Sequence, residues 1–446
     1  MRMMRRREVL KAGMAGTSAF AAKTRGALPN FVFILADDLG YGDLSCYGHP
    51  TIMTPHLDRM AREGMRFTQF YSPAPMCAPS RGAILTGRLP IRTGITRNFF
   101  PWSQGGIPEG EITVADLLKK AGYATACIGK WHLGHLPRYL PTRHGFDGYF
   151  GIPYSNDMSK ATNPRAPWAA RTPPPPLMRG EETIEREPDQ SLLAQRYAKA
   201  AVEFIHKSTR AGRPFFLYLP HTYPHWPLSA SAGFRGRSRA GLYGDAVEEI
   251  DWSAGEILRV LEETEAGRNT LVVFASDNGA ESGSAGPFRD GKVTTWEGGV
   301  RVPFLAWWPG KVPAGTVTPA FGTGMDLLPT FAKLAGAGLP EGRLLDGADL
   351  SPVLLGNAAG REPLFFYYSD EKVQAVRQGR WKLHVAVNNR KTAPPPGEGE
   401  PPLLFDVEQD IGERRNVARA HPEIVKELEA LIGRHRASIP PAPVQE

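Results

Sequence analysis

The stretch Phe31-Val32-Phe33-Ile34-Leu35-Ala36, running without a break into Asp37-Asp38-Leu39-Gly40-Tyr41-Gly42, governs how this chain is read. Its apolar residues are consecutive rather than alternating, as in a parallel strand buried on both faces. The two acids then fall at the strand's carboxyl end, the edge where open α/β sheets hold their ligands. Asp and Gly also favour a solvated turn. The pair therefore acquires weight only if other strands end in the same way.

They do. Residues 123–128 read as a strand opening onto Gly129-Lys130-Trp131-His132-Leu133-Gly134, and 214–219 as one opening onto His221 to Pro227, which includes His225. A strand at 270–275 opens onto Ser276-Asp277-Asn278-Gly279, and another is expected at 303–308. Helical patterns lie between them at 113–121, 190–207, 243–264 and 325–334, and Thr54 with Pro55 starts a helix that ends at Gly64. Beyond Ser351 the texture changes. Residues 373–377 and 381–387 read as antiparallel strands around Gln378-Gly379-Arg380, and an amphipathic helix over 422–434 closes the chain. The expected fold is α/β, a mostly parallel central sheet flanked by helices, with a smaller C-terminal α+β domain. The divisions fall at 1–26, 27–350 and 351–446. Residues 159–188 read as a surface loop rimming a pocket, and the Gly-rich run ending at Gly286 as a flexible segment.

The first 25 residues hold Arg2, Arg5, Arg6, Arg7, Lys11, Lys23 and Arg25 against Glu8 alone, six of the seven net positive charges of the chain. The remainder is nearly neutral, so the basic pI implies no nucleic-acid partner. Arg5-Arg6-Arg7-Glu8-Val9-Leu10-Lys11, followed by a small-residue run to Ala22, reads as a twin-arginine export signal. Export to a bacterial periplasm or secretion is the expected destination. The run is too short to be a permanent membrane span. The three cysteines, Cys46, Cys77 and Cys127, have no metal-site or disulfide-framework spacing. Cys46 and Cys127 read as small apolar residues.

Cys77 stands apart. In Cys77-Ala78-Pro79-Ser80-Arg81, continuing to Leu85-Thr86-Gly87, Pro79 suits a first helical turn and Gly87 a stop. Cys77 thus begins a helix, where free N–H groups and the dipole favour anions, and Arg81 one turn on adds a cationic fork. Strand ends contribute Asp37, Asp38, Asp277 and Asn278, an oxygen-only set that suits Ca²⁺ or Mg²⁺ rather than Zn²⁺. Lys130 and Lys292 supply positive charge for an anionic ester, and His132 and His225 are of the residue type that serves as a proton carrier.

The run C-x-P-S-R-x-x-x-L-T-G resembles the signature of the type I, formylglycine-dependent sulfatases of the alkaline-phosphatase superfamily. The resemblance continues through D-D-L-G-Y-G-D at 37–43, G-K-W-H-L-G at 129–134, G-I-P-Y-S at 151–155, P-H-W-P at 224–227, S-D-N-G at 276–279 and K-x-x-x-x-E-G-G-x-R at 292–301. The tail resembles the C-terminal domain of the arylsulfatase A and galactosamine-6-sulfatase branches. Asn156 departs from the pattern, since arylsulfatase A has a histidine after the G-I-P-Y-S run. The resemblance implies hydrolysis of a sulfate monoester, aryl or sugar, by a formylglycine (3-oxoalanine) made from Cys77 by a formylglycine-generating enzyme. It implies one divalent cation, Ca²⁺ with Mg²⁺ as the alternative, held by Asp37, Asp38, Cys77, Asp277 and Asn278. Arg81 would stabilise the nucleophile, and Lys130, Lys292, His225 and Ser155 would bind the sulfuryl group. His225 with Lys292 would protonate the leaving alcohol, and His132 would serve the nucleophile. The alternatives are a phosphate or phosphonate monoester hydrolase of the same superfamily and a non-catalytic binder of sulfated glycans with an unmodified Cys77.

Overall fold

The computed structural model describes residues 28–167, 169–388 and 390–439; the export segment expected at 1–26 lies outside them. Ten strands form the large sheet: β1 (Asn30–Ala36), β2 (Met65–Tyr71), β3 (Ala124–Ile128), β4 (Gly148–Gly151), β5 (Pro176–Arg179), β6 (Glu182–Arg186), β7 (Phe215–Pro220), β8 (Thr270–Ser276), β9 (Phe304–Trp307) and β10 (Thr316–Thr323). Their spatial order is β10-β2-β9-β8-β1-β7-β3-β4-β5-β6. The middle run from β8 to β4 is parallel throughout, with β1 lying between β8 and β7.

The uninterrupted apolar run of β1 has the predicted cause. Phe31, Phe33 and Leu35 point into one core, with the helices Val114–Lys120 and Leu327–Ala335, while Val32, Ile34 and Ala36 point into a second. The helices Pro55–Glu63, Leu193–Arg210 and Gly241–Glu263 cover that second face. Each such fully buried side chain contributes roughly 1.5–3 kcal/mol relative to exposure. Register then decides where the polar residues go. Ala36 lies opposite Ser276, and Leu35 opposite Pro220, so β1, β8 and β7 end level with one another.

Four further strands, β11 (Leu364–Ser369), β12 (Lys372–Gln378), β13 (Trp381–His384) and β14 (Leu403–Asp406), make a small antiparallel sheet covered by the helix Pro422–Ser438. Its apolar side joins the large sheet through Tyr71, Ala83 and Val300 packed with Phe365, Tyr367 and Val376.

Several expectations change. The loop read over 159–188 contains the β5–β6 hairpin, which pairs antiparallel with β4 at the sheet edge. β6 is largely exposed, so no apolar pattern betrays it. β2, β4 and β10 were also not legible as strands; β2 mixes polar and apolar residues and gains its identity from β9 and β10. Thr54 does stand before the helix Pro55–Glu63, but its hydroxyl bonds Ser45 and Asp58 instead of capping the turn. The Gly-rich run is pinned, not loose. Gly42 N–H donates to Ser284 O at 2.8 Å, and Ser284 N–H to Asp43 Oδ1 at 2.7 Å. A Cβ on Gly40 would sit 2.2 Å from that same Ser284 oxygen. Cys46 and Cys127 are free thiols, Cys127 buried and Cys46 only half-buried.

Candidate active site

The level strand ends gather the polar clusters. Asp277 N–H donates to Ala36 O at 3.1 Å, setting Asp277 beside Asp37. The Lys130 loop runs equally close to β7, with Lys130 N–H on Pro220 O at 2.8 Å. Gly129 makes this approach feasible: its φ is +133°, and a Cβ there would lie 1.8 Å from Pro220 O. Asp38 and His132 carry φ values of 64° and 60°, a costly backbone state that clusters at functional sites.

Cys77 opens the helix Cys77–Thr86, which ends at Gly87 with φ +69°. Both features follow the sequence reading, but the helix start is not an open anion site. Asn98 Oδ1 accepts from Ala78 N–H at 2.9 Å, supplying a cap from twenty residues away. The Arg81 fork is likewise engaged, not open as the motif alone suggests. Its Nε donates to Asp277 Oδ2 at 2.9 Å, one terminal nitrogen lies 3.1 Å from Asp37, and the other donates to Lys130 O at 2.9 Å. Arg81 is a buried clamp between carboxylates.

Two ammonium groups flank Cys77. Lys130 Nζ reaches Asp37 Oδ2 at 2.6 Å and Ser155 Oγ at 3.0 Å, and stands 3.9 Å from Cys77 Sγ. Lys292 Nζ reaches Asp38 Oδ2 at 2.6 Å and His225 Nε2 at 3.1 Å. His225 Nδ1 faces the Trp226 carbonyl, so Nε2 is the atom left to accept from Lys292. His132 Nε2 faces Phe99 O at 3.1 Å and must carry its proton there, which leaves the buried, unpartnered Nδ1 with a bare lone pair. Asn156 is turned away: its side chain and carbonyl bond Gln190 at 3.0 Å each.

Burial and charge set the protonation states. Burial alone would raise the Asp37 carboxyl, but Lys130 and then Arg81 hold it well below the usual range. Asp38 is lowered against the same penalty, chiefly by Lys292. Asp277 is pushed up to about 7 by burial; Arg81 pulls against this, and Asp37 and Asp38 add to it. Burial pushes the Cys77 thiol well up, so an unmodified cysteine here is protonated and a poor nucleophile. Burial, then Lys130, lowers His132 well below its ordinary value and keeps it neutral.

The site is suited to a divalent cation. Asp37, Asp38, Cys77 and His225 each offer a ligand atom within 4.8 Å of the others, all buried. Asn278 donates its Nδ2 to Asp38 at 2.7 Å, and its Oδ1 is buried without a partner. Asp277 lies outside that group of four: its Oδ1 receives Asp38 N–H at 3.1 Å, and its Oδ2 faces both Nε and a terminal nitrogen of Arg81 at 2.9 Å. His225 thus stands closer to the carboxylate group than its sequence role suggests. Above the site lies a cleft of about 450 Å³ that includes Asn98, Asp157, Asn163, Trp226 and Glu281. None of these five has an individual role in the sequence reading, although Asn163 falls in the rim loop read at 159–188 and Trp226 within the P-H-W-P run. Asn98 lies in a segment with no apolar period, whereas Asp157 and Glu281 each sit two residues past a recognised motif.

Buried cations facing buried carboxylates around a capped cysteine define a hydrolase of anionic esters on an α/β sheet. Residues 29–337 match the Sulfatase family model, and 359–446 match the C-terminal region of aryl-sulfatase. The chain is 43% identical to arylsulfatase A of Homo sapiens over 90% of its own length and 87% of that protein's. It is 39% identical to N-acetylgalactosamine-6-sulfatase of Canis lupus familiaris, over 94% and 87%. The crystal structure of the PsFucS1 sulfatase from Pseudoalteromonas sp. superposes with a TM-score of 0.83 at 30% identity, covering 94% of this chain and 92% of that one. The chain belongs to the sulfatase family, sulfuric ester hydrolases that act on sulfate esters and generally use formylglycine and a divalent metal. No described helix is long and apolar enough to cross a membrane.

Proposed function

We propose that this sulfatase hydrolyses a sugar sulfate, using residue 77 as formylglycine and Ca²⁺ held by Asp37, Asp38, Asp277 and Asn278 with residue 77. The observation that carries this reading is the placement of Lys130 and Lys292 on either side of Cys77, each tied to a different carboxylate of the cation set. When present, the cation supplies positive charge to residue 77, whose aldehyde hydrate supplies the nucleophilic oxygen. Lys130 and Ser155 bind sulfuryl oxygens on one side and Lys292 on the other, as preorganised donors, while His225 Nε2 accepts from Lys292. Lys292 and His225 Nε2, 3.1 Å apart, together stand where the leaving alcohol takes its proton. His132 Nδ1, neutral and unpartnered, accepts a proton from the nucleophile side. Arg81 holds Asp37 and Asp277 in register beneath.

The sugar assignment rests on the mouth. Trp226 is 43% exposed there, an aromatic face beside Asn98, Asp157 and Asn163, which suits a hydroxyl-rich ring. One relative is named for a sulfated amino sugar, in agreement. The same reading divides the chain near residue 350, sends it to the periplasm or outside by twin-arginine export, and requires a formylglycine-generating enzyme first.

Mass spectrometry of the peptide holding residue 77, with turnover of sulfated monosaccharides, 4-nitrophenyl sulfate and 4-nitrophenyl phosphate, tests this reading. The expected result is an aldehyde at residue 77 and higher kcat/KM for at least one sugar sulfate than for the phosphate. An intact thiol in active protein refutes it.

A further inference from the structure

Lys292 is followed by Val293 at φ +66°. A β-branched residue in the left-handed region is strained, and such a state persists only where its surroundings over-determine it. The large sheet side contributes two bonds, Lys292 N–H to Ala280 O at 2.9 Å and Val293 N–H to Pro75 O at 2.8 Å. A local turn adds Thr294 N–H and Oγ1 on Gly291 O at 3.2 and 2.7 Å, and the anchors after it come from the small sheet. Thr295 Oγ1 donates to Gln374 Oε1 of β12 at 3.0 Å, and Lys382 Nζ of β13 donates to Thr295 O at 2.9 Å. Glu297 N–H donates to Glu413 Oε2, beyond β14, at 2.7 Å. Lys382 also reaches Glu297 Oε1 at 2.9 Å and Glu413 Oε1 at 2.8 Å, with all three side chains fully buried. Between these anchors the Trp296 ring lies 4.3 Å from the His384 ring and 3.6 Å from the Arg289 guanidinium.

We propose that Lys382 of the small sheet, assisted by Gln374 and Glu413, is a positioning residue for Lys292, fixing where that ammonium meets His225. Buried ion pairs are a weak source of stability compared with packed apolar residues. What the Lys382 ammonium does that an apolar group would not is hold one carbonyl, Thr295 O, and two carboxylates at a single register. The strained Val293 passes that register to Lys292. The inference rests on the reading of Lys292 under Proposed function.

The test uses the full, matured chain as wild type, Lys382→Met, Thr295→Val, Lys292→Ala, Lys292→Ala/Lys382→Met and Lys292→Ala/Thr295→Val. Steady-state rates on 4-nitrophenyl sulfate and on an alkyl sulfate are normalised to aldehyde content and folded fraction. Lys382→Met is expected to lower kcat by about tenfold to a hundredfold, since a misplacement near 1 Å has that effect. KM should change little, and the loss should be larger for the alkyl sulfate, whose leaving group needs the proton more. In the Lys292→Ala background the same change should add less than about twofold, because the two residues act as one unit. An equal loss in both backgrounds, or unaltered kcat per folded molecule, overturns the proposal. Should Lys382→Met fail to fold, Thr295→Val carries the test: a loss of about threefold that vanishes in a Lys292→Ala background supports the proposal, and no loss or an additive one refutes it. Lys292→Ala with wild-type turnover would refute the reading of Lys292 itself and this proposal with it. A crippled Lys292→Ala with an additive Lys382 effect refutes this proposal alone.

Discussion

Lys130→Met removes one ammonium while keeping an apolar stem of similar length, and its consequences can be separated into stability and rate. In the folded chain Lys130 Nζ contacts Asp37 Oδ2 at 2.6 Å and Ser155 Oγ at 3.0 Å, with no solvent on either charged group. Breaking a buried pair costs about 3–5 kcal/mol when the remaining charge is stranded. Asp37 is not stranded, because Arg81 stays 3.1 Å away, so the loss belongs at the lower end. Against a total of about 5–15 kcal/mol, the variant still folds. Its rate suffers more: loss of a preorganised charge beside the reacting centre costs about 10²–10³ in kcat. The charge also holds the Asp37 carboxyl well below its usual range, burial working the other way. Without it that carboxyl rises, and the acid limb of the kcat/KM profile moves to higher pH. Aryl sulfate kinetics from pH 4 to 9, corrected for folded fraction by circular dichroism, read both effects (pH span set about the ordinary carboxylate and histidine ranges). A folded variant within about threefold of wild-type kcat/KM, with its acid limb unmoved, would show that Lys130 does no electrostatic work.

Two more outcomes follow from the same geometry. Glu297→Gln should destabilise the chain by about 3–5 kcal/mol, because Lys382, Arg301 and Arg377 lose a shared partner. Burial raises the Glu297 carboxyl, but Lys382, then Arg301 and Arg377, hold it far below the ordinary 4.5. Its contribution is therefore complete above that value and lost as pH falls towards the folded one, so the gap between variant and wild type in urea denaturation should narrow on acidification. A gap that widens on acidification contradicts the ion-pair account. Chelation should lower both activity and the thermal midpoint, and Ca²⁺ at about a hundred times its Kd should restore about 2.7 kcal/mol. An unchanged midpoint in differential scanning calorimetry would argue against a structural cation among Asp37, Asp38 and Asn278.

The amino-acid order alone determined the central strands and the charged groups now gathered beside Cys77: Asp37, Asp38, Arg81, Lys130 and Lys292. It could do so because a strand buried on both faces has no polar option along its length, so polar residues that follow several such strands together mark the sheet's carboxyl end. Phe31–Ala36 with Asp37-Asp38 is the plainest instance. What only the tertiary structure decided depends on partners distant in sequence. The exposed β6 hairpin strand exists because β5 pairs with it, and the Cys77 helix is capped by Asn98 rather than by its own N-cap residue, Met76. Arg81 faces carboxylates instead of the cleft, a direction set by packing at a fully buried position. The small sheet's grip on the Lys292 segment is of the same kind: Lys382 and Glu413 carry no local sign of it, since hydrogen bonds between residues about a hundred positions apart have no period to read.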